Sequence, residues 1–350
     1  MEKFLKNILI PFLELFVIMG LIYGSFYLLD QKDKKEQIKT KIETGENKRS
    51  KIEKNNFVSY NGRLKIKDNK LVNKYNENIQ LRGVSTHGIQ WYSDLANFTN
   101  IRTLKEDFNA NVFRVSMYTE ESGYIQNPSL KDKLYDIVNT AINMDMYVII
   151  DWHILSDGDP LTHVEESEKF FSEVSEKYKG VPNIIYEICN EPNGSNVTWD
   201  NNIKPYAERI IKRIRENDPI SIVVVGTSTW SQDVDKALLN PIDDKYTMYS
   251  LHFYSGTHTA YLRDRVKTVI DKIPIFVTEF GVSDASGNNG VYLSEAKLWI
   301  DFLNENNISW VNWSLSNKNE SSALLKPNTE IINDDNLSES GKFVKSIMTK

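Results

Sequence analysis

The chain has one cysteine, Cys189, among its 350 residues. A lone thiol forms no internal disulfide, so the fold holds without covalent staples and does not depend on an oxidising compartment. Basic charge is in deficit: 42 Lys and Arg stand against 48 Asp and Glu, for a net charge of −6. Phosphate binding needs clustered cations, so this balance argues against a nucleic-acid partner. Histidine is scarce, with five in all, and neither His-x-His nor H-E-x-x-H occurs. Metal-ligand spacing is therefore unsupported. No internal repeat is visible. No Gly-rich phosphate turn follows the first strand-like run of the globular part, where "LRGVSTHG" stands.

Long apolar runs are confined to one place. Residues 7–29 are apolar apart from Glu14. At roughly 1.5 Å per residue the run reaches about 34 Å, enough for a hydrocarbon core of about 30 Å. It ends in Phe26-Tyr27-Leu28-Leu29-Asp30, which offers no small-residue cleavage site. An uncleaved membrane anchor over residues 1–29 is the favoured reading, a cleaved signal the second, and a buried helix of the soluble part the last. Lys3 and Lys6 precede the run and Lys32, Lys34, Lys35, Lys39 and Lys41 follow it, so charge alone would keep the remainder on the cytoplasmic side. Residues 30–55 are dense in Lys and Glu and read as a solvated tether.

Residues 56–350 alternate. Strand-like runs occur at 79–84, 111–117, 146–152, 184–189, 221–226, 248–253, 274–279 and 308–313. Helical patterns fit between most of them, as at 130–144, 164–178, 203–217 and 292–306. Eight such units predict an α/β fold, a (β/α)8 TIM barrel. A doubly wound sheet is the competitor, disfavoured by the missing phosphate turn. Before the first run, residues 62–81 alternate like a short β-hairpin placed to cap the barrel bottom.

Reactive groups of such a barrel sit at the C-terminal ends of its strands. The first run leads into Ser85-Thr86-His87 with Trp91 behind, and the second carries Arg114 and Tyr118. The third ends Asp151-Trp152-His153, and the fourth ends Asn190-Glu191. The sixth gives His252 and Tyr254, with His258 after; the seventh ends in Glu279 and the eighth in Trp313. Four of the five histidines thus follow strand ends. A metal site is one reading of that, without ligand spacing to support it. Any one of these side chains, taken alone, is as well explained by packing or by a core salt bridge. Seven strand ends together are not.

Glu191 and Glu279 would face each other across the mouth. Glycosidic cleavage needs two carboxylates in a cleft, one to protonate the leaving oxygen and one to attack the anomeric carbon. Arg114 is expected to favour the ionised form of Glu279, and Tyr254 to donate a hydrogen bond to it. Glu191 is expected to be the proton donor, with Asn190 on the sugar 2-hydroxyl.

The motifs "LRGVSTHGIQWY", "DWHILSDGDP", "YEICNEPNG", "SLHFYSGTH", "FVTEFGVSDASG" and "WVNWSLSNKNESSALL" occur in this order. Together they resemble glycoside hydrolase family 5, in its bacterial endo-β-1,4-glucanase branch, over nearly the whole of residues 56–350. The resemblance implies a retaining, two-step hydrolysis without cofactor, with Glu191 as acid/base and Glu279 as nucleophile. It implies that Arg114, His153, Asn190, His252, Tyr254 and Trp313 complete the site, and that His87, Trp91, Tyr118, Lys318 and Glu320 line sugar subsites. It also implies a non-proline cis bond after Trp313. Three departures stand out: Cys189 replaces a small residue, Asn317 and Asn319 stand where His and Asp are usual, and no carbohydrate-binding module is expected beside the barrel.

The expected partner is a β-glucan polysaccharide, met outside the cytoplasm by a monomeric catalytic domain that is secreted or tethered to the membrane through residues 1–29. That location opposes the lysine distribution. Mannan, xyloglucan or mixed-linkage glucan are alternative substrates for the same mechanism, and a non-catalytic glycan-binding barrel is a rival from another class.

Overall fold

The computed structural model describes residues 57–349 and Lys32. The expected membrane segment (1–29) and, Lys32 apart, the charged tether (30–55) lie outside the described residues. Among the described residues no helix is long and apolar enough to cross a membrane.

A short helix, Phe57–Asn61, leads into a hairpin of β1 (Lys65–Lys67) and β2 (Lys70–Val72). Its two turn residues, Asp68 and Asn69, both have positive φ, at 51° and 58°. Asp and Asn tolerate that conformation, and a two-residue turn of this hand matches strand twist. Eight parallel strands follow: β3 (Arg82–Thr86), β4 (Val112–Tyr118), β5 (Tyr147–His153), β6 (Ile184–Glu187), β7 (Ile222–Val225), β8 (Thr247–Tyr254), β9 (Ile275–Gly281) and β10 (Trp310–Leu315). They close in chain order, with β10 pairing both β9 and β3. This is the expected (β/α)8 barrel.

The helices form because their apolar residues recur on one face. In Leu130–Asn143 the buried positions are Leu130, Leu134, Ile137, Val138 and Ala141, a helical stripe laid against the strands. Truncating one of them, such as Leu134, to Ala would cost about 2–5 kcal/mol. Asn97 caps Phe98–Phe108 at its start, accepting from the Asn100 amide, and Asn109 ends it in the left-handed conformation.

Strand alternation sorts the barrel into layers. Val112, Tyr147, Ile149, Ile185, Val224, Met248, Phe276 and Val311 point inward and low, and join Val58, Leu64, Leu71 and Ile79 in one cluster. The hairpin therefore plugs the bottom. One step higher the inward residues turn polar and buried: Arg114, Asp151, Glu187, Ser250 and Thr278.

Two strands break the alternation. Between Phe276 and Glu279, β9 spends three residues while β8 spends two, from Ser250 to His252. From the other side, β9 runs from Val277 to Phe280 while β10 runs from Trp310 to Asn312. Both neighbours place one extra residue in β9, a β-bulge that re-aims the side chains after it. Ile275, Val277 and Phe280 face the helices, whereas Thr278 and Glu279 both turn inward. A second irregularity lies in β10 between Asn312 and Leu315, where the Trp313–Ser314 bond is cis.

Candidate active site

The C-terminal ends of the strands enclose a cavity of about 630 Å³. Of the residues singled out by sequence, His87, Trp91, Tyr118, His153, Glu191, His252, Tyr254, Glu279, Trp313, Lys318 and Glu320 line it. Arg114 and Asn190 lie beneath its floor, fully buried.

Arg114 organises that floor. Its Nε donates to Glu187 Oε2 at 2.7 Å, Nη1 to Glu279 Oε2 at 3.2 Å, and Nη2 to Asn190 Oδ1 at 2.7 Å. Asp151 Oδ2 sits 3.0 Å from Nη2. A buried guanidinium needs such partners, and a rigid fork with five donors can hold several acceptors at fixed angles. Asp151 also meets His153 Nδ1 at 2.7 Å. Burial, with the nearby Arg114 and His252 charges, keeps the His153 imidazole neutral. Asn190 Nδ2 lies 3.3 Å from His153 Nε2 and donates to the Ile154 carbonyl at 3.1 Å.

Glu279 receives the Tyr254 hydroxyl on Oε1 at 2.7 Å, as expected. The expectation for Arg114 is met in contact but not in outcome. Burial and the charge of Glu191 raise the Glu279 carboxyl above its ordinary value, against His252, Arg114 and Tyr254. Arg114 cannot offset this because its one charge is divided among Asp151, Glu187 and Glu279.

Glu191 Oε1 lies 2.9 Å from His252 Nδ1. The backbone turn that carries it is clamped: the Gly226 amide donates to the Cys189 carbonyl at 3.0 Å, and the Ser231 hydroxyl donates to the Asn190 carbonyl at 2.6 Å. Ordered pairing stops at Glu187, earlier than the expected run to residue 189, and Ile188 and Cys189 both pack outward into the helix layer. Cys189 is fully buried and burial pushes its thiol far up, so it serves as a small core residue.

Ligand-type atoms of Glu191, His252 and Glu279 all lie within 4.8 Å of one another. Carboxyl groups about 5–5.5 Å apart suit attack by one of them on a sugar carbon, whereas a wider gap leaves room for water. Aromatic rings wall one side. Trp313 stacks on His153 at 5.2 Å between centroids and tilts against His87 at 4.9 Å; Tyr118 stacks on His153 at 4.1 Å. Trp91 stands 47% exposed at the rim, an available face for a pyranose ring. Lys318 Nζ and Glu320 Oε2 pair at 2.7 Å, with His87 Nε2 4.0 Å from Glu320 Oε1. Burial first, then Lys318, lowers His87 to about 3, so it is a neutral hydrogen-bonding group. Asn317 is tied to the Thr329 carbonyl at 2.9 Å.

Sequence reasoning left Glu187, Asp151 and Thr278 without roles, and passed over Glu121, Leu155, Trp230 and Gln232 on the cavity wall. The first two had a signal: each lies an even number of residues from an inward apolar position of its own strand. Thr278 did too, from Phe276. The loop residues had none.

Paired carboxylates in an aromatic cleft at the mouth of a (β/α)8 barrel define a carbohydrate-cleaving class of site. The family model for Cellulase (glycosyl hydrolase family 5) matches residues 72–319. The chain belongs to glycosyl hydrolase family 5. An endoglucanase of Clostridium saccharobutylicum is 51% identical over 293 residues, spanning 82% of this chain and 65% of that protein. Endoglucanase A of Evansella cellulosilytica is 52% identical over 271 residues, spanning 76% of this chain and 56% of that one. The chain thus spans from just over half to just under two thirds of these relatives. Among solved structures, the catalytic domain of Thermobifida fusca endoglucanase Cel5A in complex with cellotetraose superposes with a TM-score of 0.81 at 33% identity, covering 84% of this chain and 99% of that one.

Proposed function

We propose that this protein is an endo-β-1,4-glucanase that hydrolyses internal bonds of accessible β-glucan chains with retention of configuration. The observation that carries the reading is the approach of Glu191 and Glu279 to within 4.8 Å across an aromatic cleft. Glu279, held by Tyr254 and Arg114, attacks the anomeric carbon, and the C1–O bond breaks as Glu191 protonates the leaving oxygen. Water then enters; Glu191 takes its proton, and the oxygen displaces Glu279 from C1. Asn190 offers Nδ2 to the sugar 2-hydroxyl in place of its long contact with His153. Trp313, Trp91 and Tyr118 stack on sugar rings, while His87, Lys318 and Glu320 bond hydroxyls. Endoglucanase relatives and a cellotetraose-bound structural neighbour support β-1,4-glucan as the substrate.

The apolar run of residues 7–29 supports export of the barrel, anchored at the cell surface or secreted. Recovery of the intact N-terminus in the membrane fraction supports the anchor; a shortened soluble form refutes it.

The test of function uses the full chain on carboxymethyl cellulose, following viscosity and reducing ends together, with Glu279→Gln as control. The expected result is a fast viscosity fall per bond cut, lost by on the order of 10⁵-fold in the variant. Activity on mannan or xyloglucan alone would reassign the substrate. Binding without turnover on any of these would overturn the enzyme reading.

A further inference from the structure

Thr278 and Glu187 lie below the cavity and touch no part of it, yet the hydrogen bonding around them is fully determined. Glu187 is wholly buried; burial opposes its charge, but Arg114 and His252 bring its carboxyl below the ordinary value, so it is an anion that only accepts. Its Oε2 takes the Arg114 Nε–H. Its Oε1 lies 2.6 Å from the Thr278 hydroxyl and takes that proton. Thr278 has no second proton, so its oxygen must accept from its remaining neighbours. These are Ser250 Oγ and His252 Nε2, the latter at 3.0 Å. His252 therefore carries a hydrogen on Nε2 in every protonation state, and Nδ1 alone is left to face Glu191 Oε1 at 2.9 Å.

We propose that Thr278 and Glu187 are positioning residues that fix the polarity of His252, so that His252 and Glu191 hold one transferable proton between them. The inference rests on the reading of Glu191 as acid/base. While the pair is loaded, the proton lies on Nδ1 or on Oε1. Once Glu191 has passed it to the leaving oxygen, two acceptors face each other across that contact. Such a pair is poised to take the proton from the attacking water, which restores the starting count. Without Thr278 the imidazole could put its only hydrogen on Nδ1, donate to Glu191 in the neutral state, and hold no extra proton to give.

The charged and titratable groups around His252 come from every side: Glu187 and Glu191 from β6 and its turn, Glu279 from β9, Arg114 from β4, Asp151 and His153 from β5, and His258 beyond β8. Burial lowers His252, but its interactions with Glu187 and Glu191 and the charge of Glu279 lift it to about 9. His153 and His258 are both lowered, so His252 is the one among these three that holds a proton at neutral pH.

The test measures kcat/KM against pH on hydroxyethyl cellulose, which has no titrating groups, for the wild type, Thr278→Val and Thr278→Ser. Valine keeps the shape and removes the acceptor. The expected result is a basic limb displaced downward by roughly one pH unit in Thr278→Val, with Thr278→Ser retaining the wild-type limb. A uniform fall at every pH with the limb unmoved overturns the inference and leaves Thr278 a packing residue. In parallel, ¹⁵N-histidine spectra of the full-length wild type report the tautomer directly. One imidazole protonated on both nitrogens at pH 7.5, leaving Nε2–H above about pH 9, supports the relay; a neutral Nδ1–H form for His252 overturns it. Absence of turnover on every β-glycan sinks the acid/base reading, and the spectra then decide the proton arrangement alone.

Discussion

Gly226 immediately follows β7, one position beyond its last pairing of Val225 with Tyr249, and has no side chain in the cavity. A Cβ built on it would lie 2.0 Å from the Cys189 carbonyl oxygen, 2.8 Å from that of Asn190 and 2.9 Å from Pro192 Cδ. Two of these atoms are backbone, so no side-chain rotation relieves the clash. Restoring even a tight contact of about 3 Å requires the Cys189 carbonyl to retreat by about 1 Å. That carbonyl accepts the Gly226 amide, and Glu191 is two residues further on. A 1 Å displacement of a reacting group costs about 10²-fold in rate, equivalent to about 2.7 kcal/mol of transition-state stabilisation. Overpacking costs a further ~1–3 kcal/mol of stability. Gly226→Ala should therefore lower kcat on carboxymethyl cellulose about 100-fold and lower the urea midpoint. Gly180→Ala is the control. Gly180 has φ +77° and open space around it, so alanine there should lose about 1 kcal/mol of stability and no kcat. A Gly226→Ala protein with wild-type kcat and stability would refute the claim that this close approach sets the Glu191 turn.

Three further outcomes are expected. On the proposed mechanism, in which Glu279 attacks as the anion, the pH profile should have its acid limb above the ordinary glutamate value of 4.5, because Glu279 is raised, and its basic limb near 9, where His252 loses its proton; an acid limb below 4.5 would contradict this. Tyr254→Phe removes the hydroxyl that stabilises ionised Glu279, so the acid limb should move further up by roughly one unit; a limb that stays put or moves down refutes the assignment. Cys189 should resist thiol reagents in native buffer and react only as the protein unfolds, since burial pushes its thiol up; rapid native labelling, read by absorbance, would place it elsewhere.

Much of this protein was legible along the chain. The expected helix 130–144 is Leu130–Asn143, and 164–178 is Val164–Lys177, because an amphipathic stripe is written locally. Expected strand starts fall up to three residues early, as at 79 against Arg82, because the apolar Ile79 and Leu81 join the bottom plug, with the polar Gln80 between them, before β3 begins. The residues at strand ends were legible because those ends meet at one mouth in any such barrel; Lys318 and Glu320 came only with the family resemblance, and Glu121, Leu155, Trp230 and Gln232 not at all.

What the sequence by itself determined was the order of strands, the closure of the barrel and the inventory of groups at its mouth, since periodicity and turn chemistry act between near neighbours. What only the tertiary structure decided was where those groups point and how they share charge. By strand period alone Glu279 falls in step with Ile275 and Val277, against the helices. One extra residue in β9, read only through its pairing with β8 and β10, brings Thr278 and Glu279 inward together. The single charge of Arg114 likewise looked sufficient for Glu279 until Asp151 and Glu187 were seen to claim it too. Pairing register and the division of a charge among partners from three strands are long-range quantities, the latter set by contacts of Arg114 with residues up to 165 positions away.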